Sequence, residues 1–289
     1  MGANAAGTVA VCGATGRQGG AVARRLLKRD WAVRALTRKP QGRPAQALKA
    51  LGAEVVAADM NDTSSVRRAF DGVDGVYSVQ NGMLSGFDAE VAQGRNVAEA
   101  AKAAGVKHLV YGSAGIGRAG TGVPSWEAKV RVEEHLRTLG LPFTILRPMA
   151  FMELMTDPSF YPAVGTWSVW PRLMGEDRPI IWIAVEDVGS IAAIMFANRD
   201  HWLGRELALA ADVRSLAECR ALYRDVIGRA PRAFPMPLWL FDRFTRKDLT
   251  IMWRWLKANQ VDYDLADTRA VLPTVMTVPE WLRASRHAR

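Results

Sequence analysis

Gly13-Ala14-Thr15-Gly16-Arg17-Gln18-Gly19 follows the short apolar run Thr8-Val9-Ala10-Val11-Cys12 and leads into a stretch of helical pattern. This order of strand, glycine loop and helix constrains the fold more than any other feature of the chain. Gly13 permits the tight turn, Gly16 lets the backbone approach an anion, and Gly19 lets the new helix pack close to the strand. The N–H groups and positive dipole end of that helix then face the anion. The pyrophosphate of a dinucleotide is the ligand that needs all of this, and Gly13, Thr15, Gly16, Arg17, Gln18 and Gly19 are expected to hold it. The alternative is a glycine-rich turn that binds nothing.

Beyond the loop, repeated βα units follow. Strands are expected at Thr8–Cys12, Trp31–Thr37, Glu54–Ala57, Gly75–Val79, Lys107–Tyr111 and Phe143–Leu146. Helices are expected at Arg17–Arg29, Pro44–Leu51, Thr63–Phe70, Asp88–Ala104 (closed by Gly105) and Ser125–Leu139. Such a series implies an α/β fold with a doubly wound parallel sheet and right-handed crossovers, of the Rossmann type. Ligands of these sheets bind beyond the C-terminal strand ends.

At 289 residues the chain is long for one such unit. A nucleotide-binding domain over 1–150 and a smaller lobe over 151–289 are expected, the chain re-entering the first around 180–200. Composition, 49% hydrophobic and 23% charged, describes an ordinary globule. No apolar run approaches the ~18 residues that span a bilayer, so no membrane partner is expected. Met1–Ala6 lacks the basic and apolar regions of a secretory signal, and Ala6 stands where myristoylation needs Ser or Thr. Cys12 and Cys219 form neither a metal spacing nor a disulfide framework; no metal is expected, and a reducing cytoplasm fits.

The formal charge of +9 is spread along the chain with no nucleic-acid-reading motif, so dispersed solvated charge is the reading and no nucleic acid is expected. Only Trp31 and Trp126 of the ten tryptophans precede Ala150. The C-terminal lobe therefore holds the material for a large apolar pocket, or simply for a core.

The residues after the second strand bear on which dinucleotide binds. An Asp or Glu there would hold a ribose 2′-hydroxyl, but Leu36-Thr37-Arg38-Lys39 contains no acid. A guanidinium can bind a 2′-phosphate through paired charge-assisted bonds, so Arg38 and Lys39 favour NADP(H). Solvated loop charges are the alternative. Asp59 and Met60 end the third strand and could border an adenine, with Asp62 or Thr63 as the cap of the next helix. Gln80 and Asn81 end the fourth and could line the nicotinamide half, although Asn81-Gly82 also suits a plain turn. On the helix from Ser125, Lys129 lies within about 60° of Val132 and Leu136, at the edge of the inward stripe. It could bridge ribose hydroxyls or donate a proton; it could equally pair with Glu133 at i+4.

Gly13–Gly20, Thr37-Arg38, Gly52-Ala53-Glu54-Val55-Val56 with Asp59, Glu133 downstream of Lys129, Leu146-Arg147-Pro148, Phe151-Met152-Glu153 and Val185-Glu186-Asp187-Val188-Gly189 together resemble the NmrA-like group of atypical short-chain dehydrogenases/reductases. So do Met252-Trp253-Arg254-Trp255 and Val278-Pro279-Glu280-Trp281-Leu282, which extends the likeness over nearly the whole chain. The resemblance implies a Rossmann domain with a small α/β substrate lobe and NADP as the usual dinucleotide. It also implies that Lys129, Pro148 and the segment through Phe151 face the nicotinamide.

Ordinary short-chain reductases carry an acidified Tyr four residues before the Lys. Ser125 occupies that position here, and Ser113 stands where those enzymes keep a supporting Ser, able to polarise a carbonyl or cap a turn. Two functions follow from the resemblance. One is an NADPH-dependent reductase of a small conjugated, carbonyl or quinone-like acceptor, with Phe151, Met152, Met155, Trp167 and Trp170 lining the substrate. The other is a non-catalytic NADP(H) sensor that acts through a regulatory protein partner. Either is compatible with a monomer or homodimer.

Overall fold

The computed structural model describes residues 7–157, 165–261 and 263–287; Met1–Ala6 lies outside them. β1 (Thr8–Val11), β2 (Ala32–Thr37), β3 (Glu54–Ala57), β4 (Gly75–Ser78), β5 (His108–Gly112) and β6 (Phe143–Pro148) alternate with α1 (Arg17–Leu27), α2 (Arg43–Ala50), α3 (Thr63–Ala69), α4 (Gly82–Ser85), α5 (Phe87–Ala103) and α6 (Pro124–Leu139). β7 (Ala150–Phe151), α7 (Trp170–Met174), β8 (Ile180–Ile183), α8 (Val185–Ala197), α9 (Arg199–Trp202), β9 (Glu206–Leu209) and β10 (Asp212–Arg214) come next. The chain ends with α10 (Leu216–Ile227), α11 (Leu238–Thr245), α12 (Asp248–Ala258), α13 (Leu265–Val271) and α14 (Val278–His287).

These elements divide into two compact units. The first comprises Met1–Gly117, Ala128–Arg147 and Val185–Leu207; the second comprises Arg118–Glu127, Pro148–Ala184 and Ala208–Arg289. The main sheet has the order β3-β2-β1-β4-β5-β6-β9. β1 pairs in parallel with both β2 and β4 (Val9 opposite Val33 and Gly75), and β4 with β5, so the winding reverses between β1 and β4. This is the doubly wound α/β arrangement expected, and the reversal opens a crevice at the carboxyl ends of β1 and β4.

Val9, Ala10 and Val11 are all fully buried, as in a strand covered on both faces. Ala10 and Cys12 join Leu109, Tyr111, Phe70, Val97, Val132 and Leu136 in the core on the side of α3, α5 and α6. Burial pushes the Cys12 thiol up to about 12, which makes it an inert packing group. On α8, Gly189 lies against α1: a Cβ there would come within 2.7 Å of the Ala21 carbonyl. The two helix backbones can approach so closely only because that position is glycine. Asp62, rather than Thr63, caps α3, its carboxylate accepting from the N–H groups of Ser64 and Ser65 at 2.9 and 3.3 Å. A cap of this kind contributes about 1 kcal/mol. β6 runs to Pro148, two residues beyond expectation, with Leu146 in register with Gly112.

The second unit is built around a three-stranded sheet, β10-β8-β7. Trp170 stacks on Trp253 with centroids 5.0 Å apart, Trp253 on Phe241 at 5.4 Å, and Trp170 meets Trp182 at 5.6 Å. Trp182 and Trp253 are among the largest fully buried side chains. In these positions the tryptophans are core.

His108, in β5, makes the stability of the first unit depend on pH. Thr144 Oγ1 donates to the Trp202 carbonyl at 2.7 Å, so His108 Nε2 must donate to Thr144 Oγ1, 2.8 Å away. That leaves Nδ1 a bare, buried lone pair. Burial, then the charge of Arg199, pushes the imidazole from 6.5 down to about 4. Between these values the unfolded chain binds the proton and the folded chain does not. The stabilisation is therefore complete above about pH 6.5 and is lost as pH falls toward 4, by about 3 kcal/mol. Urea melts of the parent and His108→Gln over that range should show the slope shrinking in the variant; an unchanged slope would exonerate His108.

Candidate functional site

The glycine loop has the form its sequence implies. Gly13 adopts φ +64°, and its carbonyl accepts from the Gly16 N–H at 2.9 Å. A Cβ on Gly19 would run into that same carbonyl and come within 2.6 Å of the Gly13 carbonyl carbon, so α1 rests on the end of β1. Gly16 is the N-cap of α1, offers no side-chain cap, and no acid occupies the first turn. Thr15 and Gly16 are exposed, and Arg17 and Gln18 half-buried. Gln18 Nε2 donates to the Tyr77 hydroxyl at 2.8 Å, and a Cβ on Gly112 would strike both groups. Gln18 thus ties the loop to the ends of β4 and β5.

Around the crevice, Arg38 and Lys39 are exposed just past β2, where the Lys39 N–H bonds Thr37 Oγ1 at 3.1 Å. Asp59 accepts from the backbone and side chain of Asn61, both at 2.9 Å. Gln80 is buried, its Nε2 donating to Ser78 Oγ at 2.9 Å and approaching Met60 Sδ at 3.6 Å. Asn81 caps α4, accepting from the Met83 N–H at 3.1 Å.

Lys129 is only 6% exposed, and its partner is not Glu133. Its ammonium pairs with Glu90 of α5 at 2.7 Å and donates to the carbonyls of Gln80 at 3.1 Å and Gly112 at 3.4 Å. The i+4 alternative does not form: both oxygens of Glu133 are occupied. Arg147 holds them in a bidentate fork at 2.9 and 2.5 Å, and Arg137 adds a bond at 3.2 Å. Glu90 can reach Lys129 because α5 and α6 approach closely one turn later, where a Cβ on Gly94 would come within 2.6 Å of Val132. Glu90 was missed, yet it left a trace: a carboxylate in the inward stripe of Gly94, Val97 and Ala101. Its Oε2 is buried without a hydrogen-bond partner.

Ser113 neither caps a turn nor points a free hydroxyl. Its Oγ donates to Glu133 Oε1 at 2.5 Å, fully buried. Ser125, in the place of the missing Tyr, bonds Asp248 through its backbone N–H at 2.7 Å. No other phenol of the first unit's sheet replaces the acid. Burial, then the charges of Glu90 and Glu133, raises Tyr111 well above its usual value; burial likewise raises Tyr77 against the hydrogen bond from Gln18. Among the described residues the first unit offers a buried ammonium, Lys129, held by a carboxylate, and two phenols, Tyr77 and Tyr111, that burial makes weaker acids.

The remaining candidates belong to the second unit. Pro148 is buried at the end of β6 and Phe151 is half-buried in β7. Met152, Met155, Trp167 and Trp170 are at most 2% exposed. Trp167 Nε1 donates to the Met155 carbonyl at 3.1 Å and its ring packs edge-on against Tyr223. Among the described residues no His, Cys, Asp or Glu cluster could hold a metal ion.

The sequence model of the NmrA-like family matches residues 5–282. The NmrA-like family domain-containing oxidoreductase himF of Aspergillus japonicus is 33% identical over 245 residues, covering 78% of this chain and 74% of that protein. Among solved structures, NmrA, a negative transcriptional regulator, in complex with NADP superposes with a TM-score of 0.75 at 21% identity, over 99% of this chain and 98% of the other. Citrobacter sp. triphenylmethane reductase complexed with NADP(H) gives 0.74 at 19% identity, over 96% and 99%. Both structural likenesses speak for the fold.

Proposed function

The chain belongs to the NmrA-like family, and from that premise we propose that it is an NADPH-dependent oxidoreductase reducing a small conjugated, carbonyl or quinone-like acceptor. The observation that carries the reading is the glycine loop at the crevice, with an uncapped, acid-free helix start and Arg38 exposed beyond β2. The residues fit a dinucleotide: Gly16 leaves the space a side chain would fill, and the first turn of α1 supplies N–H groups to a pyrophosphate.

Bound NADPH would supply the hydride. Arg38 would grip the 2′-phosphate, and Lys129 would orient the nicotinamide ribose by exchanging its longest bond, to the Gly112 carbonyl, for a ribose hydroxyl. With Tyr77 and Tyr111 made weaker acids by burial and Ser125 in the place of the usual Tyr, the described residues suit acceptors that need no strong protein acid.

A second reading, an NADP(H) sensor working through a protein partner, draws on a specific observation. Lys129 and Ser113 are both engaged by buried carboxylates. NADPH oxidation across a panel of quinones, enones and cationic dyes, run beside NADPH titration calorimetry, separates the two. Turnover with one class supports the reductase; tight binding without turnover replaces it by the sensor.

Cofactor choice is tested separately. The unmutated protein is expected to bind NADP(H) more tightly than NAD(H). Arg38→Asp should remove a charge-assisted contact worth roughly 1.5–3 kcal/mol and add repulsion, erasing the preference. Equal calorimetric affinities in the parent would remove Arg38 from the site.

A further inference from the structure

The outward face of α11, far along the chain from the glycine loop, is apolar where a monomer's surface is ordinarily polar. Trp239 is 70% exposed, Phe244 63%, and Phe234 on the approach to the helix 58%. Phe241 and Thr245 face inward. At about 100° per residue, Trp239, Arg243, Leu240 and Phe244 fill an arc of about 140° on the opposite side. Arg172 fixes the approach segment by donating to the Met236 carbonyl at 2.9 Å.

Along the segment that carries this face the charge is one-sided. Between Arg229 and Lys247 lie five exposed cations, Arg229, Arg232, Arg243, Arg246 and Lys247, and a single acid. That acid, Asp242, accepts a hydrogen bond from Thr250 at 2.5 Å. Arg246 and Lys247 are consecutive non-glycine residues with φ of +53° and +62°, an unfavourable conformation that turns the chain sharply into α12 and leaves both exposed.

We propose that this face docks the protein on an anionic phospholipid surface, with Trp239, Phe244 and Phe234 entering the boundary of headgroups and acyl chains. Arg232, Arg243 and Lys247 pair with lipid phosphates. Trp239, Leu240 and Phe244 interleaved with Arg243 on one arc, with Lys247 just beyond the helix, are what interfacial helices present, and the aromatic rings settle at headgroup level. Among the described residues no helix is long and apolar enough to cross a membrane, but lying on one does not require such a helix. A second copy of the chain fits the face poorly, because a two-fold contact would set the same cations against each other. A nucleic acid would match the charge but gains nothing from Leu240 and Pro235, which cannot stack on bases. The chain's net charge of +9 adds a general attraction to such a surface. The proposal is independent of the reductase reading.

Cosedimentation of the full chain with vesicles tests it. Equimolar phosphatidylglycerol and phosphatidylcholine should retain the protein, pure phosphatidylcholine should not, and added salt should release it. Trp239→Ser with Phe244→Ser, and separately Arg243→Glu with Lys247→Glu, should each lower binding by roughly tenfold or more, with melting temperatures near the parent's. Equal retention by both vesicle types, or parent-like binding by both variants, overturns the proposal. So does a concentration-dependent dimer, or binding to a single-stranded oligonucleotide, that the Trp239→Ser, Phe244→Ser protein loses.

Discussion

Lys129→Met is expected to cost roughly 3–5 kcal/mol of stability, because it strands the Glu90 carboxylate in a buried site. Glu90 is 1% exposed, Lys129 pairs with its Oε1, and its Oε2 is buried without a hydrogen-bond partner. Glu90→Gln should also destabilise, since it leaves the ammonium to two backbone carbonyls. The double variant should recover most of the loss, as expected for neighbours whose effects are coupled. A recovered fold then allows the chemical question to be asked cleanly. If Lys129 orients cofactor or stabilises negative charge on the acceptor, the stable double variant should turn over roughly tenfold to a thousandfold more slowly. Chemical melts with steady-state rates on all four proteins decide it. Additive melting losses would remove the ion pair from the account, and a double variant as fast as the parent would remove Lys129 from the chemistry.

Gly16→Val is expected to abolish cofactor binding while the fold survives. The position is exposed, its φ is −87°, and the nearest atom to an added Cβ is the Gly13 carbonyl at 3.2 Å. An added Cβ therefore needs a shift of a few tenths of an ångström, far less than at Gly19, and a branched side chain there stands where the pyrophosphate approaches. Gly19→Ala should do the reverse. Its Cβ would collide with the Gly13 carbonyl and come within 2.9 Å of the Cys12 carbonyl, both rigid backbone, so the loop and α1 must shift. Circular dichroism and a cofactor-induced thermal shift on the same samples separate the two effects. A normal NADPH shift in Gly16→Val would place the phosphates elsewhere.

The strands β1 to β6 and the helices α1, α2, α3, α5 and α6 were readable because their signals are local, whereas α4, α8, α9 and β9 were not assigned from the sequence. Gly13 and Gly105 stand where φ is +64° and +66°, a conformation other residues rarely adopt, and both mark element ends in the sequence. Asp62 caps α3 through amides two and three residues away. Several second-unit elements carry weaker local signals. β7 has two residues, β10 three and α7 five, too short for a periodic pattern to rise above its neighbours. Tryptophan content alone could not say whether Trp167 and Trp170 line a pocket or fill a core; their burial and stacking place them in packing contact.

By itself the sequence determined the strand-loop-helix start, the order of βα units and the exposed cation after β2, because each depends on residues a few positions apart. Only the tertiary structure decided which charges meet. Lys129 finds Glu90, 39 positions earlier, and Glu133 finds Arg147 and Ser113. It also decided that α8 packs against α1 at Gly189, where a Cβ would meet the Ala21 carbonyl. The physical reason is range. Backbone conformation and helical periodicity are set by near neighbours, whereas a buried ion pair is chosen by which partners the packed helices bring within about 3 Å once water is excluded.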